Sequence, residues 1–313
     1  MDDSYHDYQN YRYFVVVEII IFNIIGNFGN THLIWTSIRK KSTHTKPGML
    51  IGINAVFHSI CLLSELFNAA FIISGEVIVR KTCYPYIALY MLVVCQQAMM
   101  ILMISLDLLI SLIFPLWHRK FPTGPYVVGV CALASIYSFS VAIWGWEAQN
   151  DEIIAYCNPP LGLAPRVSRF WSLSNLVINC IVVIVYMAII FTLTIRMKKN
   201  KMLHQRRRVV RRLKVVLLIF VLSWFIAILG VDIGYLVLPP SIAPYWQSNM
   251  VLFAMICYSQ TFYACIWRSH EYRAAFREQM ALLTCHLPQP YESTSLLNSL
   301  QGRLFKRNSP CEV

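Results

Sequence analysis

Charged side chains are scarce in this chain. Asp, Glu, Lys and Arg make up 13% of its 313 residues, against roughly 25% in an average soluble domain. Apolar residues reach 57% and the mean hydropathy is +0.54, which also excludes disorder. There is no His-Glu-x-x-His, no Gly-x-Ser-x-Gly and no carboxylate pair inside an apolar run, and the eight histidines lack ligand spacing. Hydrolases and metalloenzymes have nothing to build on there; no enzyme activity, cofactor or metal is expected. Alternating ten-residue strands are missing, which argues against a membrane β-barrel. Proline interruptions are few, intramembrane charge pairs are absent and no repeat halves the chain, which weakens a transporter or channel.

What the chain does have is long hydrophobic runs. A spanning helix needs about 20 mostly apolar residues. Seven runs qualify: Tyr13–Ser37, Met49–Ile73, Tyr84–Leu116, Tyr126–Trp146, Trp171–Ile195, Leu213–Leu238 and Tyr245–Trp267. The start, MDDSYHDYQNYRY, is acidic and lacks the basic start and short apolar core of a cleaved signal peptide, so the first run is expected to be retained. The sequence predicts an all-α membrane protein, a seven-transmembrane helix bundle lying in the lipid bilayer.

Lysine and arginine collect on the cytoplasmic side of helical membrane proteins. With seven spans, one face carries five of the 27 cations: Arg12, Arg80, Lys81, Arg166 and Arg169. The other carries the remaining 22, ten of them between Arg196 and Lys214. The N-terminus is therefore expected outside. The net charge of +12 becomes retention charge, and RRRVVRR (Arg206–Arg212), which abuts a span, is not read as a nucleic-acid patch. No nucleic-acid partner is expected.

Six of the ten cysteines lie within spans, and Cys285 and Cys311 lie in the tail on the cation-rich face. Only Cys83 and Cys157 fall on the oxidising face. A bridge between them would pin the second outer loop over the bundle mouth; two free thiols are the alternative.

In order along the chain stand FGN (Phe28–Asn30), FHSICLLSEL (Phe57–Leu66), DLLISLIFPLWHR (Asp107–Arg119), YCNPPLGL (Tyr156–Leu163), WSLSNLVIN (Trp171–Asn179), SWF (Ser223–Phe225) and YSQTFYACIWRSHEYRAAF (Tyr258–Phe276). Together they resemble the rhodopsin-like seven-helix receptors, most closely the nematode serpentine receptor class Srsx, from Gly29 to about Met280. The resemblance implies a chemoreceptor in the plasma membrane, with sensory-neuron cilia a further expectation. Its partners would be a small extracellular ligand and a heterotrimeric G protein, the latter met by Asp107, Leu108, Tyr186, Arg211 and Arg212. Three departures stand out. Asp107 is followed by Leu108 where the family has Arg, which leaves the cations from Arg196 to Lys214 to partner Asp107. Thr261, Phe262 and Cys265 occupy the positions of Asn, Pro and Tyr in the seventh helix. The sixth helix lacks the Pro two residues after Trp224.

Ionisable and polar residues at membrane depth are functional candidates. Asn30, His58, Gln97 and Thr261 would share one central cavity, as a helix-linking network or, at His58, as a proton sensor. His58 stands where related receptors have a sodium-binding Asp, so no sodium site is expected. Glu65, two turns beyond His58, either meets a cationic ligand group or sits hydrogen-bonded. Amine receptors place Asp where Tyr90 stands, which disfavours an amine. The expected pocket wall is Glu65, Tyr90, Met91, Val94, Trp171, Ser174, Asn175 and Trp224, with Ala227 and Ile228, an apolar and aromatic lining with few polar groups; each residue has helix packing as its plainer role.

The expected organisation is a short extracellular N-terminus (1–12), a receptor domain (13–267), an amphipathic eighth helix along the membrane (268–283) with Ser269 as N-cap, and a disordered cytoplasmic tail (284–313) with Cys285 placed for lipidation. Epitope tags at residues 1 and 313 test the orientation: antibody on intact cells should stain the first and not the second, and surface staining of the residue 313 tag would overturn it.

Overall fold

The computed structural model describes residues 2–75, 77–199, 219–239 and 242–284. The chain divides into two compact units, Met1–Arg268 and Ser269–Val313. The first is a helix bundle: α1 (Asp2–Arg39), α2 (Lys46–Ser74), α3 (Arg80–Ile113), α4 (Thr123–Glu147), α5 (Pro165–Lys199), α6 (Ile226–Val237, preceded by a π-helical turn, Val221–Phe225) and α7 (Val251–Arg268). Six helices among the described residues are long and apolar enough to cross a membrane, and Val221–Gly234 adds a shorter apolar stretch. The start of the sixth run, expected at Leu213, lies outside the described residues, as do Arg211, Arg212, Cys285 and the rest of the tail.

Three boundaries differ from the sequence reading. Residues 2–12, read as a short extracellular segment, continue α1 as helix. Pro115 ends α3 at Ile113, because the residue before a proline is driven from the helical region. Phe114 sits at φ −121, ψ 63, and the chain restarts as the short helix Pro115–Lys120. The seventh run is divided at Met250 into Ala243–Asn249 and α7.

Membrane packing explains which side chains face inward. With no water in the hydrocarbon, each span satisfies its own backbone as helix, and apolar side chains face lipid. Ile24, Val128, Ile136, Ile184 and Phe191 are exposed, while Asn30, His58, Gln97 and Asn175 are buried. The most apolar stretch of α3 is 61% buried against 22% for α4, so α3 is the central helix. It packs on α2, α4 and α5, while α1 packs on α2 and α7. The approach of α1 to α7 depends on Gly29, where an added Cβ would lie 2.8 Å from the Cβ of Phe262.

Capping is partly tertiary. Thr45 Oγ1 accepts from the Gly48 amide at the start of α2, an ordinary N-cap. The far end closes on Gly75 in the left-handed region, φ 68, where glycine carries no steric cost. The last carbonyls of α2 are met by Arg12 of α1. Its Nε donates to Ile72 O at 2.7 Å and its Nη2 to Ile72 O and Ile73 O. A cation at a helix C-terminus is stabilising, so Arg12 acts as a cap for α2.

Cys83 and Cys157 form a disulfide, with Cα atoms 5.5 Å apart. Beside it, β1 (Ile78–Val79) pairs antiparallel with β2 (Ile153–Ile154). The Arg80 guanidinium donates to Leu161 O, Asn150 Oδ1 and Glu152 Oε2 at 3.0, 2.6 and 2.5 Å. Arg80 holds the Glu152 carboxyl below its usual range. That contribution is therefore present above the ordinary carboxylate pKa and is lost as pH falls through the lowered one; it is small, since Glu152 is 56% exposed.

In the second unit α8 spans His270–Leu283. Ser269 stands at its N-cap, but its side chain makes no capping bond; its carbonyl accepts from the Arg273 amide at 3.1 Å. Helical spacing puts Tyr272, Phe276 and Met280 on one face and Arg273 and Arg277 on another.

Replacing Cys83 and Cys157 together by serine should cost about 2–5 kcal/mol, the usual cost of losing a native disulfide. Surface staining should fall while total expression falls less. Wild-type surface levels in the double variant would show that the hairpin and the Arg80 bonds suffice.

Candidate ligand-binding site

Beside the bridged loop lies a partly open cavity, whose empty space, open solvent included, is about 510 Å³. Its walls come from α2 (Glu65, Asn68), α3 (Tyr90, Val94), α5 (Trp171), the π turn and α6 (Trp224, Ala227, Ile228, Val231), and α7 with the preceding turn (Gln247, Ser248, Met250, Val251, Ala254, Tyr258). Asn158, Pro159 and Pro160 complete it. They follow Cys157 directly, so the disulfide positions them, and Asn158 Oδ1 accepts from the Leu161 amide to start the turn Pro159–Gly162.

A polar chain runs through this cavity. Asn68 Nδ2 donates to Glu65 Oε2 at 2.9 Å, and the Tyr90 hydroxyl donates to Glu65 Oε1 at 2.5 Å. With its single proton used, Tyr90 accepts from the Tyr258 hydroxyl at 3.1 Å. Glu65 and Asn68, three residues apart, share a face of α2. The Trp224 ring is tilted against Tyr258, centroids 5.8 Å apart.

Of the residues the sequence suggested for the wall, Glu65, Tyr90, Val94, Trp171, Trp224, Ala227 and Ile228 line the cavity. Met91, Ser174 and Asn175 do not. Met91 is fully buried in the core. Ser174 Oγ bonds the Tyr137 hydroxyl of α4 at 2.6 Å and the Trp171 carbonyl at 3.0 Å. Asn175 Nδ2 bonds the same carbonyl at 2.8 Å and the Tyr137 hydroxyl at 3.4 Å. These two fasten α5 to α4. Asn68, Gln247 and Tyr258 were missed; the i, i+3 spacing to Glu65 was a usable signal for Asn68, and nothing local marked the others.

Three of the four deep polar residues reach α7, where the fourth, Thr261, lies. Asn30 Nδ2 donates to Tyr258 O at 3.1 Å, Gln97 Nε2 lies 3.7 Å from Cys257 Sγ, and His58 Nδ1 lies 3.5 Å from Thr261 Oγ1. His58 Nε2 also meets Asn54 Nδ2 at 3.2 Å. In α6 the missing proline is replaced by the π turn Val221–Phe225, a device that frequently marks functional sites. There Ser223 Oγ donates back to Ile219 O at 2.7 Å and accepts from Gln260 Nε2 at 3.4 Å.

At the other end of α3, Asp107 has a partner. His118 Nε2 lies 2.7 Å from Asp107 Oδ1, and the His118 ring meets the Tyr126 ring edge-on, centroids 5.9 Å apart. Lys46 donates to the His118 carbonyl and lies 4.6 Å over the Tyr126 ring. The sequence left Asp107 to the cations from Arg196 to Lys214; their side chains lie outside the described residues, and the partner comes from the short helix that Pro115 creates. Leu108 is 36% exposed and Tyr186 is buried.

A family model described as serpentine type 7TM GPCR chemoreceptor Srsx matches residues 23–280. Among the curated proteins none matches the chain.

Tyr90→Phe removes one hydroxyl and leaves Glu65 and Tyr258 each short of a partner. The expected loss is about 1–3 kcal/mol, the scale for a buried group left unsatisfied, read as a lower melting temperature of the purified protein in detergent. An unchanged melting temperature would mean that this link adds no net stability.

Proposed function

Because the chain belongs to the Srsx family of serpentine seven-transmembrane G-protein-coupled chemoreceptors, we propose that it binds a small extracellular ligand inside the helix bundle and signals to a heterotrimeric G protein. The observation that carries this reading is the cavity between α2, α3, α5, α6 and α7, lined by aromatic and aliphatic side chains with a few polar groups, the usual make-up of a small-molecule site. The reading puts the Cys83 end outside and the Asp107 end in the cytoplasm, in the plasma membrane and, for a chemosensor, in sensory cilia.

Signalling needs a ligand that favours one conformation over another. Trp224 belongs to both the cavity wall and the π turn of α6. A ligand that repacks Trp224 against Tyr258 acts on the point where α6 departs from regular helix, and the shift passes along α6 to the Asp107 end. There Asp107 and Leu108 contribute to the G-protein surface, with Tyr186, Arg211 and Arg212 as further members.

Leu108 favours a second reading, a receptor whose coupling is weak. Leucine offers no charge either to Asp107 or to an inserted G-protein segment. Cells expressing the chain are screened with small molecules, reading calcium and cyclic nucleotide. Leu108→Arg is then compared at matched surface expression, with a higher maximal response expected. Equal maxima, with the wild type already fully efficient, would mean coupling through other contacts. Uptake of a probe without any G-protein response would overturn the receptor reading in favour of transport.

A further inference from the structure

We propose that the cavity takes a small organic ammonium ion, its charged head at Glu65 and its apolar body along α6 and α7. The proposal rests on reading this cavity as the receptor's ligand site. Among the described residues Glu65 is the one acidic residue in the lining, and no Lys, Arg or His accompanies it there. Its carboxyl is buried, with 2% exposure, and both its hydrogen-bond partners among the described residues are neutral, the Tyr90 hydroxyl and the Asn68 amide. A carboxylate has about four lone-pair sites, so these two donors leave room for more. A buried anion without a cation is costly, and a ligand ammonium completes the pair.

The surroundings fit the same head group. Tyr90, Trp171, Trp224 and Tyr258 line the cavity, and aromatic faces attract a desolvated cation. Asn68 Oδ1 and Gln247 Oε1 are buried with no hydrogen-bond partner among the described residues, so two acceptors await N–H donors. Gln247 Nε2 and Trp224 Nε1 are likewise unpartnered, which calls for an acceptor elsewhere on the ligand. A protonated primary or secondary amine bearing such an acceptor carries groups complementary to these. Tyr90 by itself argues against an amine; Glu65, reaching the Tyr90 hydroxyl from α2, restores the negative charge at that place.

The test uses the purified full-length protein and three probes of one skeleton: 2-phenylethylammonium, 2-phenylethanol and phenylacetate. Binding is read as the concentration-dependent rise in melting temperature. The ammonium should bind at least about tenfold more tightly than the alcohol, with the carboxylate weakest. Glu65→Gln should erase that preference. The glutamine keeps an acceptor for Tyr90, and the Asn68 amide turns its free oxygen toward the new NH₂. The wild-type comparison stands even if the variant folds poorly. Alcohol binding as tight as ammonium binding overturns the proposal, as does ammonium affinity unchanged in Glu65→Gln. Ala254→Trp, which fills the cavity, separates the two levels of failure. Alcohol binding abolished by Ala254→Trp keeps the ligand site and discards the ammonium. Absence of any probe binding that Ala254→Trp removes discards both.

Discussion

The hydroxyl of Tyr90 sits between the carboxyl of Glu65 and the hydroxyl of Tyr258, and the bundle is organised around that contact. It joins α2, α3 and α7 through three side chains that are all buried. In hydrocarbon such groups have no water to turn to, so each must find a protein partner. The remaining polar ties follow the same logic and the same target. Asn30 from α1, His58 from α2 and Gln97 from α3 each reach α7, and van der Waals packing against lipid-facing neighbours does the rest. Helix 7 is thus the common anchor of helices 1, 2 and 3.

The loop that closes one end of the bundle depends on a second constraint, covalent this time. Cys83 opens α3 and Cys157 is followed by Asn158, Pro159 and Pro160, so the disulfide brings three cavity-lining residues to the central helix. Arg80, one turn before Cys83, secures the same loop through Asn150, Glu152 and Leu161. The cavity therefore has a roof tied to α3, the same helix that supplies Tyr90 to its floor.

Much of this was legible. Seven apolar runs mark seven helices, because length and hydropathy alone decide what spans a bilayer, and compartment alone isolates Cys83 and Cys157 as a pair. Rotation about each helix axis was not legible. A helix with lipid on one side and core on the other is apolar all round, so periodicity cannot tell the cavity face from the packing face. Hence the sequence suggests Met91, Ser174 and Asn175 for the wall although they pack elsewhere, and does not point to Asn68 and Tyr258. Contacts that cross between elements were also hidden. Arg12 caps α2 from sixty residues away, and His118 reaches Asp107 only because Pro115 breaks α3 and turns a new helix back.

The distribution of these ties determines where the bundle can change. Tyr90 and Gln97 lie seven residues apart on one face of α3, and both meet α7, whereas Asp107 faces His118, which packs on Tyr126. Movement of α3 would break links to α7 at one end and the Asp107 cluster at the other. Helix 6 is fastened more lightly among the described residues. Its polar links are Ser172 to Asp232 at 2.5 Å, Trp246 to the Gly230 carbonyl at 2.7 Å and the longer Gln260 to Ser223 contact at 3.4 Å. The two shorter links lie toward the Cys83 end of the bundle, and the longest lies at the π turn. A shift at Trp224, inside that turn, therefore acts where the described part of helix 6 holds its longest polar link.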